Sequence, residues 1–459
     1  GDFVLNIENV NANINKVKEI ISEKGFLAYT LVHGCAQNEA DMEKMRGMLE
    51  EMGYGFTNSM DKADIIVMNT CAVREGAELT IYGDVGKFKI HKKNNPELVT
   101  VVFGCMMQQE SAAEKLKKSY PYVDIVFGTH SLADFPEMLY KKLKYKKRVF
   151  DIKKEDEEMI NLPVKHKDGV SFSVTVMQGC NNFCSYCIVP YVRGRERSFK
   201  SEDILKEISC MAEKGYSEVT LLGQNVNSYG KGCDISFAEL LRRVNEIDGI
   251  KRIRFLTSHP KDLSDDLICA MAECEKVCKF LHLPFQAGST KILEAMNRRY
   301  TKEQYLALVE KIRAKIPDIA LSTDIIVGFP GETNEDFEDT MDVIEKVRFD
   351  SIFSFIYSRR SGTPAAEMED VLPQEQIHEN FDRLLERQKQ IGLEKNMKYD
   401  GKTVEILVEG RSKTNPEILT GRTESNKLIH FKGSDDLTGK YINVKITKVL
   451  TFYMLAERI

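Results

Sequence analysis

Short apolar runs alternate with amphipathic stretches over residues 24–145. Four of the runs are rich in β-branched and aromatic residues, and the stretches between them have helical spacing. This alternation predicts an α/β domain whose parallel strands are joined by right-handed crossovers into an open, doubly wound sheet. Residues 146–168 are highly charged and are predicted to be a linker with one edge strand. The four runs are GFLAYTLV, ADIIVMNT, LVTVVFG and VDIVFG.

A second alternating series occupies residues 169–395, and a long helical stretch follows it. Six strand–helix units predict a partial (β/α)6 barrel of the TIM type. In such a barrel the chemistry takes place at the carboxyl ends of the strands. The predicted strands are SFSVTVMQ, EVTLLGQN, KRIRFLTS, KFLHLPFQ, IALSTDIIVGF and DSIFSFIYS.

Residues 396–459 have short strand patterns separated by turns, with no helical pattern between them. They predict a small antiparallel β-barrel, an architecture that often binds nucleic acid. The whole chain has a net charge of -5, yet this last segment is mildly basic, which is compatible with a nucleic-acid-binding appendage.

The composition, with 42% hydrophobic and 29% charged residues, is that of a soluble globular protein. No apolar run approaches the ~20 residues that span a bilayer. The 11 cysteines are an odd number and argue against a secreted disulfide framework. We therefore expect a cytoplasmic protein without membrane contact, whose clustered cysteines bind metal or take part in catalysis.

Three cysteines with C-x3-C-x2-C spacing, Cys180, Cys184 and Cys187, directly follow the first strand of the predicted barrel. Thiolates select zinc, copper or iron–sulfur clusters. Three thiolates on a cubane cluster leave one iron open for a ligand. The alternative is a zinc site with a distant fourth ligand, and the nearest downstream histidine is His259.

A second set of three cysteines, Cys35, Cys71 and Cys105, is spread over the first domain. Each follows directly after a predicted strand. Because the carboxyl ends of parallel strands share one edge of the sheet, the three thiols are expected to converge there. This arrangement predicts a second, auxiliary iron–sulfur cluster with its own open iron. Three unrelated buried cysteines are the alternative.

The other five cysteines show no comparable pattern. Cys269, Cys274 and Cys278 fall in a predicted helical stretch, where Cys274 and Cys278 have i,i+4 spacing and no third ligand. They are expected to be buried or half-buried free thiols. Cys210 and Cys233 belong to no constellation.

The motif CNNFCSYC resembles the signature of the radical S-adenosylmethionine (SAM) superfamily. The resemblance implies that the open iron chelates the amino and carboxylate groups of SAM. One electron then yields methionine and a 5′-deoxyadenosyl radical. It also implies that Tyr186 lies near the adenine. Polar residues of the other strands are candidate SAM contacts: Gln224 and Ser289 at strand ends, and Thr323 and Asp324 inside the fifth strand.

The chain as a whole resembles the methylthiotransferases, in which the C-terminal module is an RNA-binding TRAM domain. The strings NTCAVRE and LLGQNVNSYG resemble the isopentenyladenosine branch. This resemblance implies methylthiolation of C2 of N6-isopentenyladenosine at position 37 of tRNA. One SAM donates the methyl group, a second provides the radical, and sulfur is supplied through the auxiliary 4Fe–4S cluster. The chemistry then belongs to the clusters and SAM, and no protein acid or base is identified.

Other activities remain open from the sequence. The same chemistry on N6-threonylcarbamoyladenosine 37 of tRNA, or on an aspartate of a ribosomal protein, is the main alternative. A non-catalytic metal-binding protein that binds RNA is an alternative from a different class. The expected partners are a tRNA anticodon stem-loop, a low-potential electron donor and an iron–sulfur carrier.

Several polar residues are candidate substrate contacts. Arg193 and Arg195 follow the cluster motif and are expected to meet phosphates or a base, whereas Arg197 suits a salt bridge equally well. Asn38 matches the family motif, although Ala36 departs from the glutamine usual there, which questions the role of Gln37. In the C-terminal segment the candidates are Arg411, Lys413 and Arg422.

Overall fold

The computed structural model describes residues 2–22, 24–72, 75–153, 161–232 and 234–459. The chain divides into two compact units. After first entering unit 2, it returns to unit 1 twice. This division differs from the predicted domains, whose boundaries stay predictions. Unit 1 comprises Gly1–Lys167, Gln178–Asn181 and Ile188–Arg197, and unit 2 comprises Asp168–Met177, Asn182–Cys187 and Ser198–Ile459.

Unit 1 is built on a parallel sheet, as predicted, and the sheet has one strand, Gly55–Phe56, that was not predicted from the sequence. Its strands are β1 (Leu27–Val32), β2 (Gly55–Phe56), β3 (Ile65–Thr70), β4 (Val99–Gly104), β5 (Ile125–Phe127) and β6 (Val149–Asp151). Their order is β2-β1-β3-β4-β5-β6, and the edge strand β6 comes from the segment predicted as a linker. The helices are α1 (Asp2–Ile21), α2 (Ala36–Met52), α3 (Glu75–Asn94), α4 (Glu110–Ser119), α5 (Phe135–Tyr145) and α6 (Val189–Arg193), with 3-10 turns at Met60–Lys62 and Thr129–Asp134.

The central strands β3 and β4 are buried along their whole length. Alternate residues pack on opposite faces, with Val67 and Val101 in one apolar cluster and Ile66 and Val102 in the other. Burial on both faces explains why these strands are continuous apolar runs rather than alternating ones. It also leaves their polar chemistry to the strand ends.

Unit 2 contains the predicted partial barrel, with six parallel strands in two three-stranded sheets. The strands in this region are β7 (Ser171–Thr175), β8 (Met177–Gln178), β9 (Arg197–Ser198), β10 (Glu218–Leu222), β11 (Arg252–Phe255), β12 (Phe280–His282), β13 (Ala320–Val327) and β14 (Ser351–Ile356). The sheets are β7-β10-β11 and β12-β13-β14. An isolated parallel bridge between Ile253 and Val277 joins β11 to the residues before β12.

Helices connect these strands and one long helix follows them, which confirms the pattern expected from the sequence. They are α7 (Ser201–Glu213), α8 (Phe237–Asn245), α9 (Asp265–Glu273), α10 (Thr290–Ala295), α11 (Lys302–Lys315), α12 (Asn334–Val347) and α13 (Gln374–Met397). Short 3-10 turns lie at Val226–Ser228, Pro260–Asp262 and Pro364–Glu367.

The C-terminal part of unit 2 is a closed five-stranded barrel. Its strands are β15 (Thr403–Arg411), β16 (Ile418–Arg422), β17 (Leu428–Lys432), β18 (Tyr441–Val449) and β19 (Met454–Arg458), with a 3-10 turn at Asp435–Leu437. The order is β15-β16-β17-β19-β18, and β17 pairs with β19 in parallel, so the predicted barrel is antiparallel with one exception. Lys427 of this barrel forms an ion pair of 2.8 Å with Asp350 in the same unit.

One local prediction is wrong. Helix α9 ends at Glu273, and Cys274 is its C-cap in an extended conformation. Cys274 and Cys278 therefore do not share a helix face, although both are buried as expected. Cys210 is exposed, and Cys233 lies outside the described residues. Within the described ranges, every helix is too short or too polar to cross a lipid bilayer.

Candidate functional site

The thiols of Cys35, Cys71 and Cys105 follow β1, β3 and β4, which are adjacent in the sheet of unit 1. Cys71 and Cys105 are buried, whereas Cys35 is exposed. Burial raises the pKa of Cys105 to about 12; Arg193 opposes this rise, and the thiols of Cys35 and Cys71 add to it. The structure thus brings the three thiols together at one sheet edge, as the strand-end argument predicted.

Glycines precede two of these cysteines because the backbone is tightly packed there. Gly34 has a φ of +133° and Gly104 a φ of +111°, a region that favours glycine. A Cβ on Gly104 would stand 2.2 Å from Asn69 Oδ1, and one on Gly34 would stand 2.6 Å from Asn38 Nδ2. Any side chain at either position would displace the loops that carry the thiols.

Asn38 lies at the centre of this site and is only 1% exposed. Its Nδ2 donates to His33 O at 2.8 Å and to Thr70 O at 3.0 Å, which ties the end of β1 to the end of β3. Its Oδ1 lies 3.7 Å from the Sγ atoms of both Cys35 and Cys105. Both ends of the amide are therefore used within unit 1, and the predicted contact of Asn38 with substrate stays a prediction.

Arg193, at the end of α6, is also buried within unit 1, at 4% exposure. Its Nη2 donates to Asn38 Oδ1 at 2.9 Å and to Asp41 Oδ2 at 2.8 Å. Burial opposes its charge, but Asp41, Cys105 and Cys35 raise its pKa above the ordinary value, so it remains protonated. The guanidinium of Arg193 thus contacts Asn38 and Asp41 beside the auxiliary cysteines, and its expected contact with substrate stays a prediction.

One part of the C-x3-C-x2-C motif belongs to unit 1 and the other part to unit 2, and hydrogen bonds within each unit fix the backbone of that part. In unit 1, Cys180 N–H donates to Gly194 O at 3.1 Å. In unit 2, Asn297 Nδ2 donates to Asn182 O at 3.1 Å and to Phe183 O at 2.9 Å, just before Cys184. An asparagine amide thus fixes the backbone of this cysteine loop too.

Arg298 is a functional candidate that sequence reasoning missed. It is 4% exposed, and its Nη1 donates to Cys184 Sγ and to the Tyr186 hydroxyl, both at 3.5 Å. Pro284 O at 2.7 Å and the Tyr300 hydroxyl at 3.1 Å accept its other hydrogens. Burial opposes its charge, but Tyr300, Tyr186 and Cys184 raise its pKa well above the usual value. The sequence signal was two arginines directly after a short helix, which no spacing rule connects to Cys184.

His259, which the sequence singled out only as the nearest downstream histidine, lies in the loop after β11. Burial, reinforced by Arg298, lowers its pKa to about 2, so the imidazole is neutral. Its Nδ1 accepts from Lys261 N–H at 3.2 Å, which leaves the proton on Nε2. Nε2 is buried and has no hydrogen-bond acceptor among the described residues. Its ring packs edge-on against Tyr300, with 5.8 Å between centroids.

The predicted SAM contacts differ in position and in availability: Thr323 and Asp324 lie within β13, and Ser289 is the N-cap of α10. Tyr186 and Gln224 are half-buried. Ser289 is buried and donates to Asp336 Oδ1 at 2.6 Å, and Thr323 is buried and donates to Leu283 O at 3.0 Å. Asp324 is half-buried, with Oδ2 3.4 Å from His282 Nε2. These five assignments stay predictions.

The predicted RNA contacts outside the cysteine sites are more accessible. Arg195 is exposed, and Arg197 is half-buried and donates to Arg193 O at 3.2 Å. In the C-terminal barrel, Lys413 is exposed. Ion pairs there join Arg411 to Asp435 at 2.6 Å and Arg422 to Glu409 at 3.1 Å.

The donor sets fit iron–sulfur clusters. Each triplet supplies soft thiol ligands with a buried arginine beside it, and such cations and hydrogen bonds tune thiolate ligands. Where the structure describes the chain, no three His, Cys, Asp or Glu side chains are close enough to share one metal ion. A cubane does not require that closeness, because its three thiolates bind separate iron atoms.

Comparison with known proteins first defines the class. The chain matches the models of the "Radical SAM superfamily" over residues 174–344, of "Uncharacterized protein family UPF0004" over 28–128 and of the "TRAM domain" over 397–459. The solved structure of TsrM, a radical SAM methyltransferase from Kitasatospora setae, has a TM-score of 0.57 at 12% identity. It covers 75% of this chain and 74% of that chain. At this identity the likeness concerns the fold alone. The class is that of the radical SAM proteins.

Relatives then define the family. The tRNA-2-methylthio-N(6)-dimethylallyladenosine synthase of Acetivibrio thermocellus is 57% identical over 442 residues, 96% of this chain and 92% of that protein. The protein of the same name from Clostridium perfringens is 54% identical over 428 residues, 93% of this chain and 96% of that protein.

The chain therefore belongs to the family of tRNA-2-methylthio-N(6)-dimethylallyladenosine synthases, which confirms the resemblance seen in its sequence. It is a radical SAM enzyme, and its cofactors are 4Fe–4S clusters and SAM. The TRAM domain makes RNA its partner.

Proposed function

We propose that the protein adds a methylthio group to C2 of N6-isopentenyladenosine at position 37 of tRNA. The name of its relatives suggests the substrate. The observation that carries the chemistry is the second cysteine triplet, whose three thiols meet at one edge of the sheet in unit 1. One triplet is enough to bind SAM for radical formation. A second open cluster is needed because this reaction also inserts sulfur.

The two triplets take separate roles in this proposal. Cys180, Cys184 and Cys187 hold the cluster that binds SAM, and Cys35, Cys71 and Cys105 hold the auxiliary cluster. When bound, the clusters and two equivalents of SAM supply the 5′-deoxyadenosyl radical, the methyl group and the sulfur. The protein itself fixes the cysteine loops and places buried positive charge beside the thiolates. No protein acid or base is assigned.

The substrate base reaches these sites from a single-stranded loop. Adenosine 37 lies in the anticodon loop, where a base is splayed out at modest unstacking cost. Arg195, exposed on the segment after the cluster motif, is positioned for a phosphate. On the C-terminal barrel, Lys413 is exposed and Phe452 is 78% exposed, a combination suited to backbone contact and base stacking.

Two further partners are part of the proposal. Each turnover requires an electron, so a low-potential electron donor must serve the cluster that binds SAM. Inserted sulfur must be replaced, which an iron–sulfur carrier does. We place the reaction in the cytoplasm, with tRNA.

The decisive experiment is mass spectrometry of tRNA nucleosides after reaction. Reconstituted protein is incubated with SAM, dithionite and tRNA that carries either isopentenyladenosine or threonylcarbamoyladenosine at position 37. We expect 2-methylthio product from the first tRNA only, and none with Cys184→Ala protein. Product from the threonylcarbamoylated tRNA alone contradicts the proposed substrate.

Anaerobic iron and sulfide analysis tests the two-cluster assignment independently of substrate. Two cubanes correspond to about eight irons per chain. About four irons, or zinc alone, contradict the assignment. Iron at the expected level with no product from either tRNA points instead to another substrate, such as a protein aspartate.

A further inference from the structure

We propose that Arg193 is a positioning residue of the auxiliary site. With Asp41, it fixes the Asn38 amide against which the thiols of Cys35 and Cys105 pack, and it places a buried positive charge beside them. The inference rests on the proposed assignment of Cys35, Cys71 and Cys105 as ligands of the auxiliary cluster. It gives Arg193 a role other than the substrate contact expected from the sequence.

The first step of the argument is the fixed orientation of Asn38. Both hydrogens of its amide nitrogen are used by the carbonyls of His33 and Thr70, at 2.8 and 3.0 Å. Carbonyls accept only from the nitrogen, so the amide cannot be flipped. Its oxygen therefore points towards Cys35 and Cys105, with both Sγ atoms 3.7 Å away.

The second step is the fixed position of Arg193. One nitrogen, Nη2, meets both Asn38 Oδ1 and Asp41 Oδ2, at 2.9 and 2.8 Å. The other oxygen of Asp41, Oδ1, accepts from Gln37 Nε2 at 3.1 Å, which holds the carboxylate in turn. A planar guanidinium with two fixed acceptors has little freedom, so a chain of hydrogen bonds runs from Gln37 to the amide that faces the thiols.

The third step concerns charge. Ligand thiols must lose their protons, and buried negative charge is costly unless it is compensated. Arg193 brings a buried positive charge to this place, because its Nη2 donates at 2.9 Å to Asn38 Oδ1, the atom that lies 3.7 Å from the Sγ atoms of both Cys35 and Cys105. Asp41, 3% exposed, keeps the arginine from being an isolated buried cation in the metal-free protein.

The alternative is an ordinary buried ion pair, in which Arg193 serves only to neutralise Asp41. The two roles differ in one consequence. If neutralisation is the whole role, replacing both residues by neutral amides leaves the cluster unaffected. If Arg193 acts on the thiolates, the double variant folds but binds the auxiliary cluster weakly.

The test uses full-length protein that carries the auxiliary site alone, through Cys180→Ala, Cys184→Ala and Cys187→Ala. Into this parent we introduce Arg193→Gln/Asp41→Asn, Arg193→Gln or Arg193→Lys. Arg46→Gln is the matched control, because Arg46 forms a 2.7 Å ion pair with Glu39 in the same unit. Iron content, the rate of iron loss to a chelator and the reduction potential of the cluster are measured, with circular dichroism as the folding check.

We expect the double variant to fold like the parent but to lose iron about 10-fold faster or more, the usual effect of removing a group that supports a metal ligand. The cluster potential should fall in the single variant Arg193→Gln, which removes the positive charge and keeps Asp41, because a nearby positive charge favours the reduced state. Arg193→Lys should lie between the double variant and the parent, and Arg46→Gln should match the parent.

Iron loss from the double variant as slow as from the parent overturns the inference, as does an unchanged cluster potential in Arg193→Gln. So does iron loss in Arg193→Gln that the added Asp41→Asn fully reverses, since that result leaves neutralisation as the only role. If the double variant does not fold, Arg193→Lys decides: it keeps the charge without the planar geometry, and iron loss as slow as in the parent overturns the positioning role. A parent that holds no iron contradicts the ligand assignment itself, and with it this inference.

Discussion

The surroundings of the auxiliary triplet and of the SAM-motif triplet share two components. At each, an asparagine amide donates to two backbone carbonyls of the cysteine loops: Asn38 in unit 1 and Asn297 in unit 2. At each, a buried arginine stands beside the thiols: Arg193 in unit 1 and Arg298 in unit 2. Two unrelated local folds thus support cysteine loops with the same kinds of side chain.

The two arginines differ in their partners. Arg193 is paired with a carboxylate, Asp41, at 2.8 Å. Arg298 meets neutral acceptors, the carbonyl of Pro284 and the hydroxyl of Tyr300, besides the thiol of Cys184. Asp41 balances part of the charge of Arg193 before any cluster binds, whereas the partners of Arg298 named above include no carboxylate. The comparison teaches that the protein supplies a counter-charge to the arginine at one site, and neutral acceptors and a thiol at the other.

Cysteine substitutions should separate the two triplets most clearly. Cys184→Ala is expected to abolish 5′-deoxyadenosine formation, because it removes a ligand of the cluster that binds SAM. Cys71→Ala should leave SAM cleavage in place and abolish the methylthio product. Chromatography with mass detection of both products is the measurement, with the exposed Cys210→Ala as control. Methylthiolated tRNA from Cys71→Ala protein would show that the auxiliary assignment is wrong.

Arg298→Gln should have the next largest effect. It removes both the donor to Cys184 and the positive charge, so 5′-deoxyadenosine formation should fall about 10- to 100-fold. The potential of that cluster, measured in Cys35→Ala/Cys71→Ala/Cys105→Ala protein, should also fall. The exposed neighbour Arg299→Gln is the control. If Arg298→Gln leaves the reduction potential of this cluster unchanged, the charge of Arg298 has no effect on the cluster, and the proposed difference between the two arginines is wrong.

Asn38 and Asn297, which each bond two backbone carbonyls, should differ in their contribution to stability. Asn38→Ala leaves two buried carbonyls without their donor, and we expect it to lower the unfolding free energy of the metal-free protein by about 3 kcal/mol. Asn297 is half-buried, water can replace its hydrogen bonds, and Asn297→Ala should cost about 1 kcal/mol. Denaturant titrations give both values. Equal losses of unfolding free energy in the two variants would contradict the expected effect of burial.

Glu332 extends the comparison to buried carboxyl groups. Unlike Asp41, its carboxylate accepts from a backbone N–H, that of Gly328, at 2.6 Å. Burial raises the pKa of Glu332 from its ordinary 4.5 to about 7. The folded state therefore holds its proton more tightly than the unfolded state, and the stability that this supplies is lost as pH rises from about 4.5 to 7.

Between about pH 5.5 and 7.5, the linked loss of unfolding free energy is about 2 kcal/mol. Glu332→Gln should remove this part of the pH dependence. Denaturant titrations at the two pH values, on both proteins, provide the measurement. Identical pH profiles would show that Glu332 is solvated rather than buried.

The sequence was sufficient for the arrangement of Cys35, Cys71 and Cys105. Strand periodicity located the ends of β1, β3 and β4, and parallel geometry places such ends on one edge of a sheet. The six barrel strands and the C-terminal barrel were accessible in the same way, from apolar runs and turn residues. Local sequence patterns thus predicted the strands and helices, and with them the sheet edge at which the cysteines lie.

The arginines were not accessible in that way. Arg298 is far from Cys184 along the chain, and only the packed barrel brings them together. Arg193 was expected to meet substrate, which stays a prediction. Its contacts with Asn38 and Asp41 depend on the return of the chain to unit 1, which no local pattern indicates. The prediction of one helix that holds both Cys274 and Cys278 was wrong, because α9 ends at Glu273. No glycine or proline lies at that point of the sequence to indicate the end of the helix.

The return of Ile188–Arg197 to unit 1 has a consequence for the order in which the protein is made. A ribosome releases residues from the N-terminus onward, so Cys35, Cys71 and Cys105 emerge long before Arg193. By the time the guanidinium is available, all six cysteines of both motifs have been synthesised. A nascent chain thus presents the auxiliary thiols without their buried cation, and a fragment that stops at Lys167 never acquires it. The auxiliary site is therefore completed only after residues 188–197 have been synthesised, although its cysteines belong to the N-terminal part of the chain.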